Sequence, residues 1–198
     1  GGDQSFEHAD TWLLIGVNPV ISKAAGIPCQ NPAQKLKEAV QRGMQLIVID
    51  PRTSETARRA AIHLQPRPGE DATILAGIIR IILRESLYDH EFVAQHAEGL
   101  NALRDQVEPY TPERVAQRAG IDADLLLDAA RLFAAGKRGA VNTGTGASFS
   151  MNSNLTEYLA LSLTTLCGRW PRAGEPVTRP NGLLPPWEPK AQAFAPFP

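Results

Sequence analysis

Two short apolar runs joined through one well-punctuated helix constrain this chain more than any other feature. Thr11-Trp-Leu-Leu-Ile-Gly16 has strand length, and Leu46-Ile-Val-Ile49 is β-branched and closes on Asp50-Pro51. Continuous apolar strands of this kind suit a parallel sheet covered on both faces. Between them Asn31 is placed to cap a helix, Pro32 fits its first turn and Gly43 ends it. Ala33, Leu36 and Val40 share one face of that helix. The three elements make a β-α-β unit.

The alternation continues downstream. Ile62-His-Leu64 reads as a short third strand, followed by a polar turn at Pro66-Arg-Pro-Gly-Glu-Asp71 and an amphipathic helix carrying Leu75, Ile78, Ile79, Ile82 and Leu83. Residues 89 to 108 read as another helix. Thr111-Pro112 opens a short one that stops at Gly120. Asp122 can cap a further helix bearing Leu126, Ala129, Ala130 and Phe133, with Gly136 at its end. Gly139-Ala-Val141 reads as a strand running into the glycine turn Thr143-Gly-Thr-Gly146, and a last helix carries Leu155, Leu159, Leu163 and Leu166. The expected fold is α/β: a Rossmann-like three-layer domain over residues 1–170, with a mainly parallel sheet and helices on both faces. Eight of the 16 prolines fall between Pro171 and Pro198, so residues 171–198 read as a proline-rich extended tail.

Composition narrows the function. With 198 residues, 43% hydrophobic and 21% charged, the chain is long enough for one ordinary globular core. Twenty basic residues against 21 acidic ones argue against a general nucleic-acid binder. Two cysteines, Cys29 and Cys167, are too few for a disulfide framework, a zinc ribbon or an iron–sulfur cluster held by four cysteines of this chain. The longest apolar stretch, Ile74 to Leu83, is interrupted by Arg80 and is too short to span a bilayer. No secretory signal is visible and a cytoplasmic location is expected, although the chain opens on Gly1-Gly2 rather than methionine.

Common catalytic signatures are missing. His8, His63, His90 and His96 include no pair at the i,i+4 spacing of a helical zinc site and read as single surface histidines. Gly146-Ala-Ser-Phe-Ser150 lacks the final glycine of a nucleophile elbow, and Phe149 stands where the third glycine of a dinucleotide fingerprint belongs. The polar groups collect instead at strand ends, where open parallel sheets bind ligands. After the first strand, Gly16 permits close approach of a ligand to the backbone, and Asn18 offers a donor and an acceptor, although a plain Asn-Pro turn explains them equally well. After the second, Asp50 is placed for ribose hydroxyls, Arg52 for phosphate or a surface salt bridge, and Thr53 to cap the following helix with Glu55 in its first turn. After the third, Asp71 either caps the long helix, worth about 1 kcal/mol, or takes the paired N–H donors of a guanine edge.

Ala9-Asp-Thr-Trp-Leu-Leu-Ile-Gly-Val-Asn-Pro19, Leu46-Ile-Val-Ile-Asp-Pro-Arg-Thr53 and Arg67-Pro-Gly-Glu-Asp71 resemble the molybdopterin oxidoreductases of the dimethyl sulfoxide reductase family, which include formate dehydrogenases and nitrate reductases. The likeness extends through Tyr110-Thr-Pro-Glu113 and the helix at 123–135 to Gly168-Arg-Trp-Pro-Arg-Ala-Gly174. It implies a domain that binds molybdopterin guanine dinucleotide through Gly16, Asn18, Pro19 and Ser22 along the pyrophosphate and nucleoside. Asp50, Arg52 and Thr53 would surround the ribose and guanine end, with Gly69 and Asp71 at the base and Thr143 and Gly144 nearer the pterin. No catalytic residue and no metal ligand is assigned. The cysteine-rich [4Fe–4S] segment, the protein ligand to molybdenum and the second dinucleotide domain of such enzymes have no counterpart here, and Cys29 does not stand where that ligand would be. The expected partners are therefore the remaining domains of a longer enzyme, with this chain inactive alone. A nicotinamide- or flavin-binding dehydrogenase domain, and a scaffold that kept the fold without the ligand, are the alternatives.

Overall fold

The computed structural model describes residues 6–23, 26–28, 30–172 and 174. Four parallel strands, β1 (Thr11–Ile15), β2 (Gln45–Ile49), β3 (Ile62–Leu64) and β4 (Gly139–Thr143), form one sheet in the order β3-β2-β1-β4. The register aligns Ile15 with Ile49 and Thr143, and Ile49 with Leu64, so all four strands end in one row. The chain builds β2 and β3 on one side of β1 and places β4 on the other. The reversal of strand order therefore lies between β1 and β4.

Side-chain alternation along the strands divides the core in two. Trp12, Leu14, Leu46 and Val48 face the helix α2 (Pro32–Gln41), which follows the four-residue α1 (Pro19–Ser22). Leu13, Ile15, Ile47 and Ile49 face the opposite layer. That layer holds α3 (Asp71–Arg84), α4 (His90–His96), α5 (Leu100–Val107), α6 (Pro112–Ala119), α7 (Ala123–Ala135), the short α8 (Thr145–Ser148) and α9 (Ser153–Leu166). Helices on both faces and a parallel sheet are the expected α/β arrangement. Helix α3 is buried nearly all round because α5, α6, α7 and α9 surround it. A Cβ on Gly77 would stand 2.9 Å from Val115, so its absence lets α6 approach α3 closely.

Several local expectations hold. Asn31, Thr111 and Asp122 accept hydrogen bonds from first-turn N–H groups as N-caps, and Gly120 ends α6 with φ +73°; Asp89, to which no cap was assigned from the sequence, caps α4 in the same way. Others are corrected. The segment 89–108 is two helices, divided where Gly99 turns left-handed, φ +79°, to start α5. In α2 the buried face is Pro32, Leu36 and Ala39, while Val40 is exposed. Leu155 is likewise half exposed on α9. Gly136 does end α7, in an extended conformation, and a Cβ there would lie 2.0 Å from the Thr11 hydroxyl. Cys29 and the proline-rich tail beyond Gly174 lie outside the described residues. Among the described residues no helix is long and apolar enough to cross a membrane.

Candidate functional site

The aligned strand ends deliver Gly16, Asp50 and Gly144 to one edge of the sheet. Gly16 has φ +58°, and a Cβ there would stand 2.7 Å from the Ala147 nitrogen. Its N–H donates to the Ile49 carbonyl at 2.9 Å, and its carbonyl accepts from Gly146 N–H at 3.0 Å. Gly144 N–H donates to Ile15, and a Cβ on Gly144 would fall 2.4 Å from that of Val17. The glycines on either side of the strand-order reversal are thus required by the chain's own backbone crossing. Thr143 donates its hydroxyl to Glu157 of α9.

Asn18, ahead of α1, braces two strand-end loops. Its Nδ2 donates to Glu55 Oε2 at 2.7 Å, and its Oδ1 accepts from the Thr56 hydroxyl at 2.6 Å. Its carbonyl accepts from Ser22 N–H and from the Ser22 hydroxyl, and Pro19 is buried in the first turn. The Glu55 backbone N–H, followed by the Asn18 amide, holds the Glu55 carboxyl below its ordinary range. Glu55 and Thr56 as partners of Asn18, and Glu157 as partner of Thr143, escaped the sequence reading. No local spacing signals pairs so far apart in the chain.

Asp50 is buried, and its Oδ1 accepts from Arg52 N–H at 2.8 Å in a tight turn, while its carbonyl bonds His63 Nε2 at 2.8 Å. His63 is therefore half-buried in this edge rather than a bare surface histidine. Arg52 and Thr53 are exposed. Among the described residues Thr53 makes no capping bond: Ser54 Oγ accepts from Ala57 N–H at 3.2 Å, and a single 3₁₀ turn, Ala57–Arg59, with Thr56 at its N-cap position and no side-chain capping bond, stands in place of the expected helix.

Asp71 is the first residue of α3, not its cap; Glu70 holds the cap position and makes no capping bond. The Asp71 side chain is buried, only 8% exposed, and among the described residues no cation pairs with it. Burial first, then the neighbouring carboxylates of Asp50 and Glu70, push its pKa up, against its own backbone N–H. Gly69, φ +92°, leaves the space in front of that loop open. Asp50 and Asp71 are thus brought together from β2 and α3, with Asn18 alongside on the next loop. A carboxylate without a cation partner among the described residues fits a ligand edge that presents paired N–H donors.

A parallel α/β domain with its polar groups gathered at the strand ends is the class defined so far. The model of the molybdopterin oxidoreductase family matches residues 2–179. The chain is 33% identical over 181 residues to formate dehydrogenase H of Escherichia coli, covering 90% of this chain and 24% of that one. It is 31% identical over 140 residues to the alpha subunit of an F420-dependent formate dehydrogenase of Methanocaldococcus jannaschii, covering 70% and 20%. The solved structure of acetylene hydratase from Pelobacter acetylenicus superposes with a TM-score of 0.76 at 30% identity, over 85% of this chain and 22% of that one. The chain belongs to the molybdopterin oxidoreductase family. It spans about a fifth to a quarter of the length of these relatives.

Proposed function

We propose that this chain is the part of a molybdenum-dependent oxidoreductase, of the formate dehydrogenase or nitrate reductase kind, that holds the guanine end of molybdopterin guanine dinucleotide. The carboxylate of Asp71, a buried residue with no cation partner among the described residues, carries the reading. Its two oxygens match the two adjacent N–H donors of a guanine edge, and an adenine edge cannot supply both. Asp50 and Arg52 flank it for the ribose and a phosphate, and the loop of Gly16, Asn18, Pro19 and Ser22 follows along the pyrophosphate. Thr143 and Gly144 stand on the far side of β1, toward the pterin. Residues 1–170 are assigned to this unit. The cofactor, when bound, supplies two-electron redox chemistry at its molybdenum; the residues here bind and orient it.

In such an enzyme the molybdenum ligand, any [4Fe–4S] cluster and the second dinucleotide site belong to the rest of the protein. The exposure of Phe149, Met151, Tyr158 and Leu161 along α8 and α9 supports this, since an apolar face of that extent is expected where further protein packs. The test is calorimetric titration of the purified chain with GDP and with ADP, repeated on Asp71→Asn. Preference for GDP that disappears in the variant is expected. Equal affinity for both nucleotides, or an unchanged preference in Asp71→Asn, overturns the assignment.

A further inference from the structure

At the tip of the loop that presents Asp71, a Cβ on Gly69 would meet nothing within 4 Å. Its path is therefore set at its two ends, and both ends are fastened to one place, the last turn of α6. On the entering side, Arg67 N–H donates to the Ala119 carbonyl at 2.7 Å, and its Nη1 donates to the carbonyls of Gln117 and Arg118, each at 2.9 Å. The Arg67 guanidinium lies against Gly120, where a side chain would crowd it at 3.3 Å. These bonds satisfy carbonyls that a helix end leaves without partners. On the leaving side, Glu70 Oε2 accepts from Arg118 Nε at 2.7 Å and from the Thr73 hydroxyl at 2.6 Å.

Glu70 is the carboxylate that matters here. It adjoins Asp71 in the chain, and its charge acts on Asp71. Left free, a second carboxylate beside the first could take the same N–H donors. Held by Arg118 and Thr73, it is turned to α6. We propose that Arg118 is a positioning residue for guanine recognition: it holds Glu70 aside, so that Asp71 alone faces the base. This rests on the assignment of Asp71 to guanine and adds to it a residue 47 positions away that touches no nucleotide. Arg118 is half exposed, and exposed ion pairs of this kind contribute little to folding, so its removal is a clean substitution.

The experiment titrates GDP and ADP into the 198-residue chain and into Arg118→Met, Glu70→Gln and the double variant. Arg118→Met is expected to lower GDP affinity by about tenfold, the scale of one lost charge compensation, with ADP affinity unchanged. Adding Glu70→Gln to it is expected to restore most of the loss, which a merely loosened loop would not do. Unchanged GDP affinity in Arg118→Met, or a double variant no better than the single one, overturns the proposal. If Arg118→Met fails to fold, Arg118→Lys keeps the charge and is expected to bind GDP within about threefold of the parent chain; a larger loss there counts against it. Failure of the underlying assignment looks different: GDP preference then survives Asp71→Asn, whatever Arg118 does.

Discussion

Gly146 donates its backbone N–H to the carbonyl of Gly16 at 3.0 Å, joining the loops that leave β4 and β1 at the point where the strand order reverses. No side chain fits on either glycine at that crossing. A Cβ on Gly16 would meet Ala147 N at 2.7 Å, and one on Gly146 would meet Gly16 Cα at 2.9 Å.

Gly16→Ala is therefore expected to destabilise the protein by about 2–4 kcal/mol, from backbone crowding added to a left-handed φ. Gly69→Ala offers the control, since its φ is also positive but its surroundings are empty. It should cost only about 1 kcal/mol. Urea denaturation of both variants separates packing from backbone conformation, and equal losses would remove packing as the reason for Gly16.

Asp71 should tie stability to pH in the direction opposite to a salt-bridged carboxylate. Its pKa is raised on folding, so the folded state favours the protonated form. The stabilisation is complete below the ordinary value of 3.8 and is lost as pH rises through the raised folded value. Asp71→Asn should thus melt at a higher temperature than the parent chain at pH 7, with the difference closing below pH 3.8. Thermal melts across that range check it. Such a gain on removing a functional group is the usual trade between stability and binding.

Arg169 is fully buried, with Nη2 donating to the Phe133 carbonyl at 2.7 Å while Nε and Nη1 find no hydrogen-bond partner among the described residues. Asp10, at 4.0 Å, is a distant counter-charge. An apolar side chain of similar length gives up little there. Arg169→Met should stay within about 1 kcal/mol of the parent chain, and Arg169→Ala should lose about 2–3 kcal/mol by leaving a cavity. A loss in Arg169→Met as large as in Arg169→Ala would mean that the charge itself holds the α7–α9 junction.

Burial pushes the Cys167 thiol up to about 12. In a Cys29→Ser background, where Cys167 is the one thiol left, thiol-reactive dye should react slowly at pH 8 in the native state and rapidly after denaturation. Fast native labelling would contradict the burial.

Much of the architecture was legible because it is encoded at short range. The apolar runs of β1 and β2, the caps Asn31, Thr111 and Asp122, and the stop at Gly120 act within a turn or a strand, and they form where the residues require. Misreadings arose where a longer contact prevailed. Thr53 caps no helix because the chain makes a single 3₁₀ turn there, with Thr56 at its N-cap position, and Val40 yielded its core position to Ala39, which α2 turns inward with Leu36.

The residue order alone determined the parallel α/β plan and the chemistry waiting at the strand ends, Asn18, Asp50 and Asp71, because strand period, helix caps and turn residues act on near neighbours. Only the tertiary structure decided what those groups meet. Asn18 meets Glu55 and Glu70 meets Arg118 across 37 and 48 residues, and Gly16 meets Gly146 across a whole layer of helices. Such pairings depend on the path of the packed chain, which no local pattern specifies.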